Sequence, residues 1–408
     1  MNTLDWIILV ATLLGIVLYG LYKSRSSRNL EGYFLNNRSA PWWLVLLSIM
    51  GTQASAITFL SGPGQAFADG MRFVQYYFGL PLAMIVICIT FVPLFNRLKV
   101  ITAYEFLEKR FDEKTRLLTS FLFLLQRGLS TGISIYAPTI ILCTLFGWSV
   151  FWTNILMGGL LIVYTVAGGA RAVAYTQKLQ LFIIFAGMAL VGYWVMHLMP
   201  ADVQLGDALH VGGKLGRLNI ITSGTTEKGF NWNDRYNMWS GVIGGFFLAL
   251  SYFGTDQSQV GRYLTAQNNT ESRLGLLMNG LVKIPMQFGI LLIGVLIFVF
   301  YQFQGTPLTF NQQLEQDVSR SVYRDSLAIL SADNLRVQEQ QGQSARGMAR
   351  WVERPQSDSF RIYTMALTES QKQSTVNRSR FQAWSKKVTS NDANDTNYVF
   401  LAFVRAYL

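Results

Sequence analysis

The stretch Gly51-Thr52-Gln53-Ala54-Ser55-Ala56-Ile57-Thr58-Phe59-Leu60-Ser61-Gly62-Pro63-Gly64 decides the fold class of this chain. It lies inside an apolar segment, Pro41 to Phe67, that is long enough to cross a lipid bilayer as a helix. Gly and Pro inside a helix weaken its ladder of backbone hydrogen bonds, so we expect an interrupted helix. Freed carbonyl oxygens could bind a hard cation such as sodium, and freed amides and hydroxyls could hold a solute near the membrane midplane. A kinked packing helix without a ligand would show the same pattern.

The composition of the whole chain favours a membrane environment. Of the 408 residues, 51% are hydrophobic and only 14% are charged, which is more apolar surface than one water-soluble core can bury. Eight apolar segments have the length of a membrane span: Leu4–Tyr22, Pro41–Phe67, Gln75–Phe95, Leu117–Phe146, Val150–Ala167, Ala172–Met199, Met238–Tyr263 and Leu276–Phe303. We therefore predict an all-α polytopic membrane protein in contact with the lipid bilayer.

The basic residues predict the orientation of the spans. A net charge of +11 could indicate nucleic acid, but Lys and Arg fall between the apolar segments and form no continuous patch, so we expect no nucleic-acid partner. They follow the odd-numbered spans, as at Lys23, Arg97, Arg171 and Arg273. Because short cytoplasmic loops are rich in Lys and Arg, we predict a multi-pass protein of the plasma or inner cell membrane with its N-terminus outside.

Ionisable residues inside the spans are candidate site residues. Asp256 lies in the seventh span and Lys283 in the eighth. A charge at bilayer depth costs roughly 3 kcal/mol unless it is paired or faces water, so both should point inward. Alternatively, Asp256 lies nearer the cytoplasmic end, and Lys283 reaches the interface with its long stem. Arg127 raises the same question in the fourth span and receives no role.

An enzyme is not expected. The two histidines, His197 near a span end and His210 in an outer loop, form no cluster with acids or bases, and Cys88 and Cys143 lie in apolar runs. There is no Gly-rich phosphate-binding loop with its Lys, which argues against pumping driven by ATP.

The domain organisation predicted from these patterns has three parts. Residues 1–303 form a transmembrane bundle, residues 304–395 a polar extracytoplasmic insert, and residues 396–408 the start of a further transmembrane helix. The insert is rich in Gln, Ser, Arg and Asp, and Ser321 to Trp351 has helical composition, so we expect a few surface helices there. A solvated cap is the simpler interpretation of the insert, and a binding domain is the alternative.

Three strings resemble those of the sodium:solute symporter family, which includes the sodium/glucose, sodium/proline, sialic acid and iodide carriers. They are Thr102-Ala103-Tyr104-Glu105-Phe106-Leu107-Glu108-Lys109-Arg110-Phe111, the segment Gly168 to Gln180, and Phe253 to Leu264 with its Phe-Gly-Thr-Asp-Gln start. The resemblance implies a leucine-transporter-type inverted-repeat bundle, in which an extra first helix precedes five core helices mirrored by five more. Spans two to eight would be core helices one to seven. The last three have no counterpart before Leu408, so we expect an incomplete bundle.

The same resemblance implies the ion site. Backbone carbonyls of Gly51 and Ala54 would bind a sodium ion, the only metal and cofactor expected, together with hydroxyls of a later helix that has no counterpart here. Family members that bind an additional sodium usually have an acidic residue where this chain has Gln177. A neutral amide offers no charge, so a second ion should bind weakly or not at all.

The family's solute-lining positions are matched by six residues: Thr58, Ser61, Tyr77, Asp256, Gln257 and Lys283. The lysine resembles a sugar-contacting position. The resulting hypothesis is a sodium-coupled secondary transporter that imports a small polar solute (a sugar, an amino acid or a carboxylate) by alternating access. The alternative is a solute-binding sensor or an inactive truncated transporter fragment. The solute, the number of coupled ions and the oligomeric state stay open.

Overall fold

A computed structural model describes residues 3–24, 30–55, 57–227, 229–389 and 394–408. Helices dominate it, as expected from the composition. The α-helices are α1 (Thr3–Ser24), α2 (Leu30–Leu35), α3 (Trp42–Gln53), α4 (Gly62–Asp69), α5 (Leu80–Ile89), α6 (Phe91–Arg97), α7 (Ala103–Arg110), α8 (Glu113–Phe146), α9 (Val150–His197), α10 (Leu205–Lys214), α11 (Gly245–Thr255), α12 (Gln257–Tyr263), α13 (Asn269–Gln304), α14 (Gln312–Ser319), α15 (Arg324–Arg350), α16 (Asp358–Thr389) and α17 (Val399–Tyr407). Two short strands, β1 (Thr225–Thr226) and β2 (Gly229–Phe230), pair with each other and depart from the all-helical prediction.

The helix of the second predicted span is interrupted. Helix α3 ends at Gln53, and Ala54 takes an extended conformation (φ −81°, ψ 96°) while its amide donates to Met50 O at 2.8 Å. Helical backbone resumes with a wide turn, Ile57–Ser61, that leads into α4. The break is shorter than the predicted unwound run, since Gly62-Pro63-Gly64 are helical. Proline is tolerated there because the first turn of a helix needs no amide donor at that position.

A second interruption divides α9. Gly169 has φ 59° and ψ −173°, a conformation that side chains with a Cβ rarely adopt. A Cβ at this position would also lie 3.1 Å from the carbonyl oxygen of Tyr33. The break falls between the predicted spans Val150–Ala167 and Ala172–Met199, which explains why the sequence divides there.

By length and composition, three helical stretches of the described residues could cross a membrane: Ile57–Arg97, Ala172–His197 and Asn269–Gln304. Trp42–Gln53, Val150–Val163 and Ser240–Thr255 are shorter apolar helices. The break at Ala54 divides the second predicted span, so that Trp42–Gln53 is one of the shorter helices. Helix α8 exposes a row of large apolar side chains on its outer face, Leu118, Leu122, Leu125, Leu129 and Ile133. Such a surface suits lipid contact.

The chain folds into two compact units. The first comprises Met1–Ala56, Gln75–Ala186 and Phe230–Met286. Its apolar core is built around fully buried residues of α3, α5, α11 and α12, including Leu44, Ile49, Ile87, Phe253 and Tyr263. This core fixes the ends of the helices that form the candidate site.

The second unit comprises Ile57–Val74, Gly187–Gly229 and Gln287–Leu408. It contains the helices of the predicted insert, so the prediction of helix within Ser321 to Trp351 is confirmed by α15. The side chains of Leu314, Val318, Leu327, Leu330 and Phe381 form a small apolar core between α14, α15 and α16. At the end of the insert, Arg378 donates to Asp395 Oδ1 at 2.8 Å, and Asp395 also accepts from the amide of Phe310 at 2.7 Å.

Candidate functional site

The C-terminal end of α3 is the first element of the site. The last carbonyls of a helix have no amide of a following turn to bind. Gly51 lies in this last turn, and Ala54 is the first extended residue beyond it. The two predicted sodium-binding residues thus lie in the last turn of α3 and directly after it. No group of three His, Cys, Asp or Glu side chains that could hold another metal occurs among the described residues.

Gln177 of α9 packs against this end of α3. Its Oε1 accepts from Ser48 Oγ at 3.2 Å, and its Nε2 donates to Thr52 Oγ1 at 3.2 Å. A Cβ on Gly51 would lie 2.7 Å from Gln177 Cβ, so only glycine lets the two helices approach this closely. This cluster carries no charge, and the side-chain amide of Gln177 is hydrogen-bonded to the hydroxyls of Ser48 and Thr52.

A cavity of about 390 Å³ adjoins the end of α3, entirely within the first unit. Thr52, Gln53 and Ser55 form one wall, and Tyr76 and Tyr77 form another. The remaining walls come from Leu80 of α5, from α8, from one face of α11 and from α13. The volume is within the range of about 300–1,000 Å³ that small-molecule sites occupy in proteins.

Lys283 of α13 lines this cavity. The residue is only 2% exposed, and its Nζ lies 5.6 Å from the centroid of the Tyr77 ring, within the range of a cation–π contact. In the described part of the chain, Lys283 forms no ion pair with a carboxylate. The prediction that this lysine points inward is thus met by its position in the structure.

Helix α8 presents a polar stripe to the same cavity. Arg127, Ser130 and Ser134 are spaced i, i+3 and i+7, so they share one face of an otherwise apolar helix. The guanidinium of Arg127 donates from one nitrogen to both oxygens of Asp256, at 2.8 and 2.9 Å, and contacts Ser258 Oγ. The charge of Arg127 is therefore already paired.

Asp256 and Gln257 form the junction between α11 and α12. Asp256 is extended (φ −77°, ψ 114°) and caps α12 by accepting from the amide of Ser258 at 2.8 Å. Gln257 accepts from the amide of Ala103 at 2.9 Å and donates to Ile101 O at 3.0 Å. Both side chains thus have protein partners, Asp256 in Arg127 and the Ser258 amide, and Gln257 in the backbone of Ala103 and Ile101.

A smaller cavity of about 240 Å³ lies beside this junction and includes Asp256 and Tyr104 in its lining. The hydroxyl of Tyr104, near the start of the string Thr102 to Phe111, donates to Thr255 O at 3.2 Å. Burial raises the pKa of Tyr104 to about 12, so it remains a protonated donor at neutral pH. Leu248 and Tyr252 line both cavities and form the wall between them.

The structure brings together only part of the predicted solute site. Tyr77 and Lys283 share the large cavity, whereas Thr58 and Ser61 lie in the turn Ile57–Ser61 of the second unit and do not line it. Sequence reasoning missed several lining residues: Tyr76, Arg127, Ser130, Ser134 and Tyr252. The i, i+3, i+7 spacing of the polar residues on α8 is the signal that could have found three of them.

Comparisons with known proteins place this site in context. A sequence model of the sodium:solute symporter family matches residues 33–310. The human sodium/iodide cotransporter is 31% identical over 306 residues, which is 72% of this chain and 44% of that protein. The human sodium-coupled monocarboxylate transporter 1 is 29% identical over 65% of this chain and 42% of its own length. The sodium/sialic acid symporter of Proteus mirabilis is 26% identical over 73% and 59%. The chain thus spans about half the length of these curated relatives.

One solved structure shares the fold. It is the substrate-bound, outward-open state of a Na⁺-coupled sialic acid symporter, with a TM-score of 0.65 and 20% sequence identity over 99% of this chain and 79% of that one. The prediction of a helical symporter-type bundle is confirmed at the level of the fold. At this identity the likeness carries no information about which solute is bound.

Proposed function

Because the chain belongs to the sodium:solute symporter family, we propose that it is a sodium-coupled secondary transporter that imports a small polar solute by alternating access. The observation that carries the proposal is that the C-terminal end of α3 adjoins the cavity of about 390 Å³ within the first unit. The end of α3 contributes Thr52, Gln53 and Ser55 to the cavity wall, so an ion at the helix end would lie beside the solute.

The sodium ion binds at the end of α3 in this proposal. The carbonyl oxygens of Gly51 and Ala54 supply part of its coordination, because a hard cation prefers oxygen ligands and this is where the helical ladder stops. A single ion is proposed, since Gln177 is neutral and its amide is hydrogen-bonded to Ser48 and Thr52.

The solute binds in the 390 Å³ cavity, with Lys283 and Tyr77 as its main contacts. The assignment of Thr58 and Ser61 to the solute stays a prediction from the sequence. Asp256 and Gln257 act on transport through the α11–α12 junction that they stabilise, since their side chains are bound to Arg127, Ala103 and Ile101.

Alternating access follows from coupling between the two ligands. Sodium at the end of α3 favours an outward-open arrangement with higher affinity for the solute, and both are released together inside. With a neutral solute, one inward sodium ion contributes about 2.3 kcal/mol at about 100 mV. The protein is a multi-pass membrane protein, and we place its N-terminus outside on the basis of the basic loops.

Solute counterflow tests this function. Proteoliposomes containing the complete gene product are loaded with unlabelled lactate, iodide or galactose, and entry of the same labelled compound is followed in sodium or in choline buffer. The proposal expects sodium-dependent exchange of at least one compound. Saturable binding with no exchange in sodium would favour a solute sensor, and equal exchange in both buffers would contradict sodium coupling.

A further inference from the structure

Helices α15 and α16 of the second unit form an antiparallel hairpin with a polar seam. The buried residues of α15 include a set at the alternating three- and four-residue spacing of a coiled coil: Leu327, Leu330, Asn334, Val337, Gln341, Ser344 and Met348. In α16, the buried residues of the middle turns are Ser370, Ser374 and Asn377. Such a seam is normally apolar, so the middle of this hairpin departs from the pattern that usually holds two helices together.

Two hydrogen bonds between side chains set the register of the hairpin. Gln341 Nε2 donates to Gln371 Oε1 at 2.8 Å, and Asn377 Nδ2 donates to Asp333 Oδ2 at 2.9 Å. The two pairs lie about 12 Å apart along α15, which is about two helical turns. Ser374 lies between Gln371 and Asn377 in α16, so its buried side chain faces α15 within this interval.

Four buried oxygen atoms of the seam have no hydrogen-bond partner among the described residues: Asn334 Oδ1, Thr306 Oγ1, Ser374 Oγ and Gln341 Oε1. Thr306 follows α13 and contacts the seam through its carbonyl oxygen, which accepts from Asn334 Nδ2 at 3.1 Å and from Gln338 Nε2 at 2.8 Å. The residues that carry these four atoms are at most 3% exposed. Because the amide nitrogens of Asn334 and Gln341 already donate, the seam retains mainly acceptor oxygens. Such buried acceptors destabilise a fold unless a donor or a cation meets them.

We propose that the seam binds one dehydrated monovalent cation, sodium or potassium, through the side-chain oxygens of Asn334, Thr306 and Ser374, with Gln341 Oε1 next along the seam. Neutral amide and hydroxyl oxygens suit a hard monovalent ion, whereas calcium and magnesium sites usually include carboxylate ligands. The carboxylate of Asp333, bonded to the same hairpin, adds a negative charge nearby. All of these residues belong to the second unit, and the ion stabilises the hairpin independently of the ion that is coupled to the solute.

An apolar seam tests the inference, with water as the alternative occupant. The double variant Asn334→Leu with Ser374→Ala removes two of the unpartnered oxygens, so in choline chloride it should melt at or above the wild type. Saturating sodium or potassium chloride should raise the melting temperature of the wild type about 3 °C more than that of the double variant, because only the wild type gains the ion in the seam. Ser379→Ala, at an exposed position of α16, is the matched control and should respond as the wild type does.

Counting the bound ions is the second measurement. Binding of ²²Na⁺ and of ⁸⁶Rb⁺, which stands in for potassium, is measured by equilibrium dialysis on the purified complete gene product. The wild type should bind one more ion than the double variant, and the isotope that shows the difference identifies the ion. Equal numbers of both ions in the two proteins, or melting temperatures that the salts raise equally, would mean that water fills the seam and would overturn the inference. If the double variant does not fold, Ser374→Ala alone should weaken binding of that ion about tenfold, and an unchanged affinity would overturn the inference as well.

Discussion

Replacing Asp256 by asparagine should weaken the α11–α12 junction while keeping the helix cap. Asparagine caps helices about as well as aspartate, so the bond from the Ser258 amide survives, and only the charge opposite Arg127 is lost. The Arg127 and Asp256 side chains are 32% and 13% exposed, between a surface pair and a buried one. Losing one partner of a buried pair costs about 3–5 kcal/mol and an exposed pair contributes at most about 1 kcal/mol, so we expect a loss of about 2 kcal/mol. Asp256→Ala should lose about 1 kcal/mol more, because the cap is lost too.

Thermal unfolding followed by tryptophan fluorescence measures the effect, since the chain has 10 Trp. The predicted order of melting temperatures is wild type, then Asp256→Asn, then Asp256→Ala. Asp112→Asn is the matched control: this residue caps α8 through the Thr115 amide at 2.7 Å, and hydrogen bonds from Thr115 hold the pKa of its carboxyl below the usual range. It has no arginine partner among the described residues, so Asp112→Asn should lower the melting temperature less than Asp256→Asn does. The reasoning is refuted if the two variants melt at the same temperature, or if Arg127→Gln lowers stability equally with and without Asp256.

Three further predictions concern the ion and solute sites. Gly51→Ala should weaken sodium binding, because the added Cβ would lie 2.7 Å from Gln177 Cβ. The control is Gly132→Ala on α8, where no atom lies within 4 Å of the added Cβ and no loss is expected. Binding of ²²Na⁺ compares the two variants, and equal losses of affinity would contradict the role of close packing at Gly51. Gln177→Glu places a carboxylate against the hydroxyls of Ser48 and Thr52 and should raise the number of bound sodium ions. An unchanged ²²Na⁺ stoichiometry would contradict the claim that the neutral Gln177 side chain limits the end of α3 to one sodium ion. One sodium ion that enters with a neutral solute moves one positive charge inward, so an inside-negative potential imposed with valinomycin should accelerate the uptake of such a solute; unchanged uptake would contradict coupling to one inward sodium ion.

The break in the second span was predictable from sequence, but its position was not. Glycine and polar residues in an apolar segment indicate a weak helix over the whole run from Gly51 to Gly64. The structure has extended backbone at Ala54 and helix again at Gly62–Asp69, because Pro63 fits the first turn of a helix as well as it would fit a break. A local sequence pattern indicates that a helix is weak, and tertiary packing determines the residue at which it is interrupted.

The inward position of Lys283 followed from the energetic cost of a charge in the membrane, which is a local argument. The partner of Asp256 did not, because Arg127 is 129 residues away and no periodicity links the two. The same limit applies to Gln257, whose amide binds the backbone of Ile101 and Ala103. Residue type alone therefore assigned Asp256 and Gln257 to the solute, whereas tertiary contacts give both of them protein partners.

Reciprocal binding of sodium and solute tests the central claim most directly. If an ion at the end of α3 is coupled to the solute cavity, sodium raises the affinity for the solute, and the solute raises the affinity for sodium by the same factor. The measurement is equilibrium dialysis of the labelled solute over a series of sodium concentrations, paired with ²²Na⁺ binding over a series of solute concentrations on the same preparation. The account predicts that both affinities rise, and by equal factors. A solute affinity that does not change between zero and saturating sodium would contradict it.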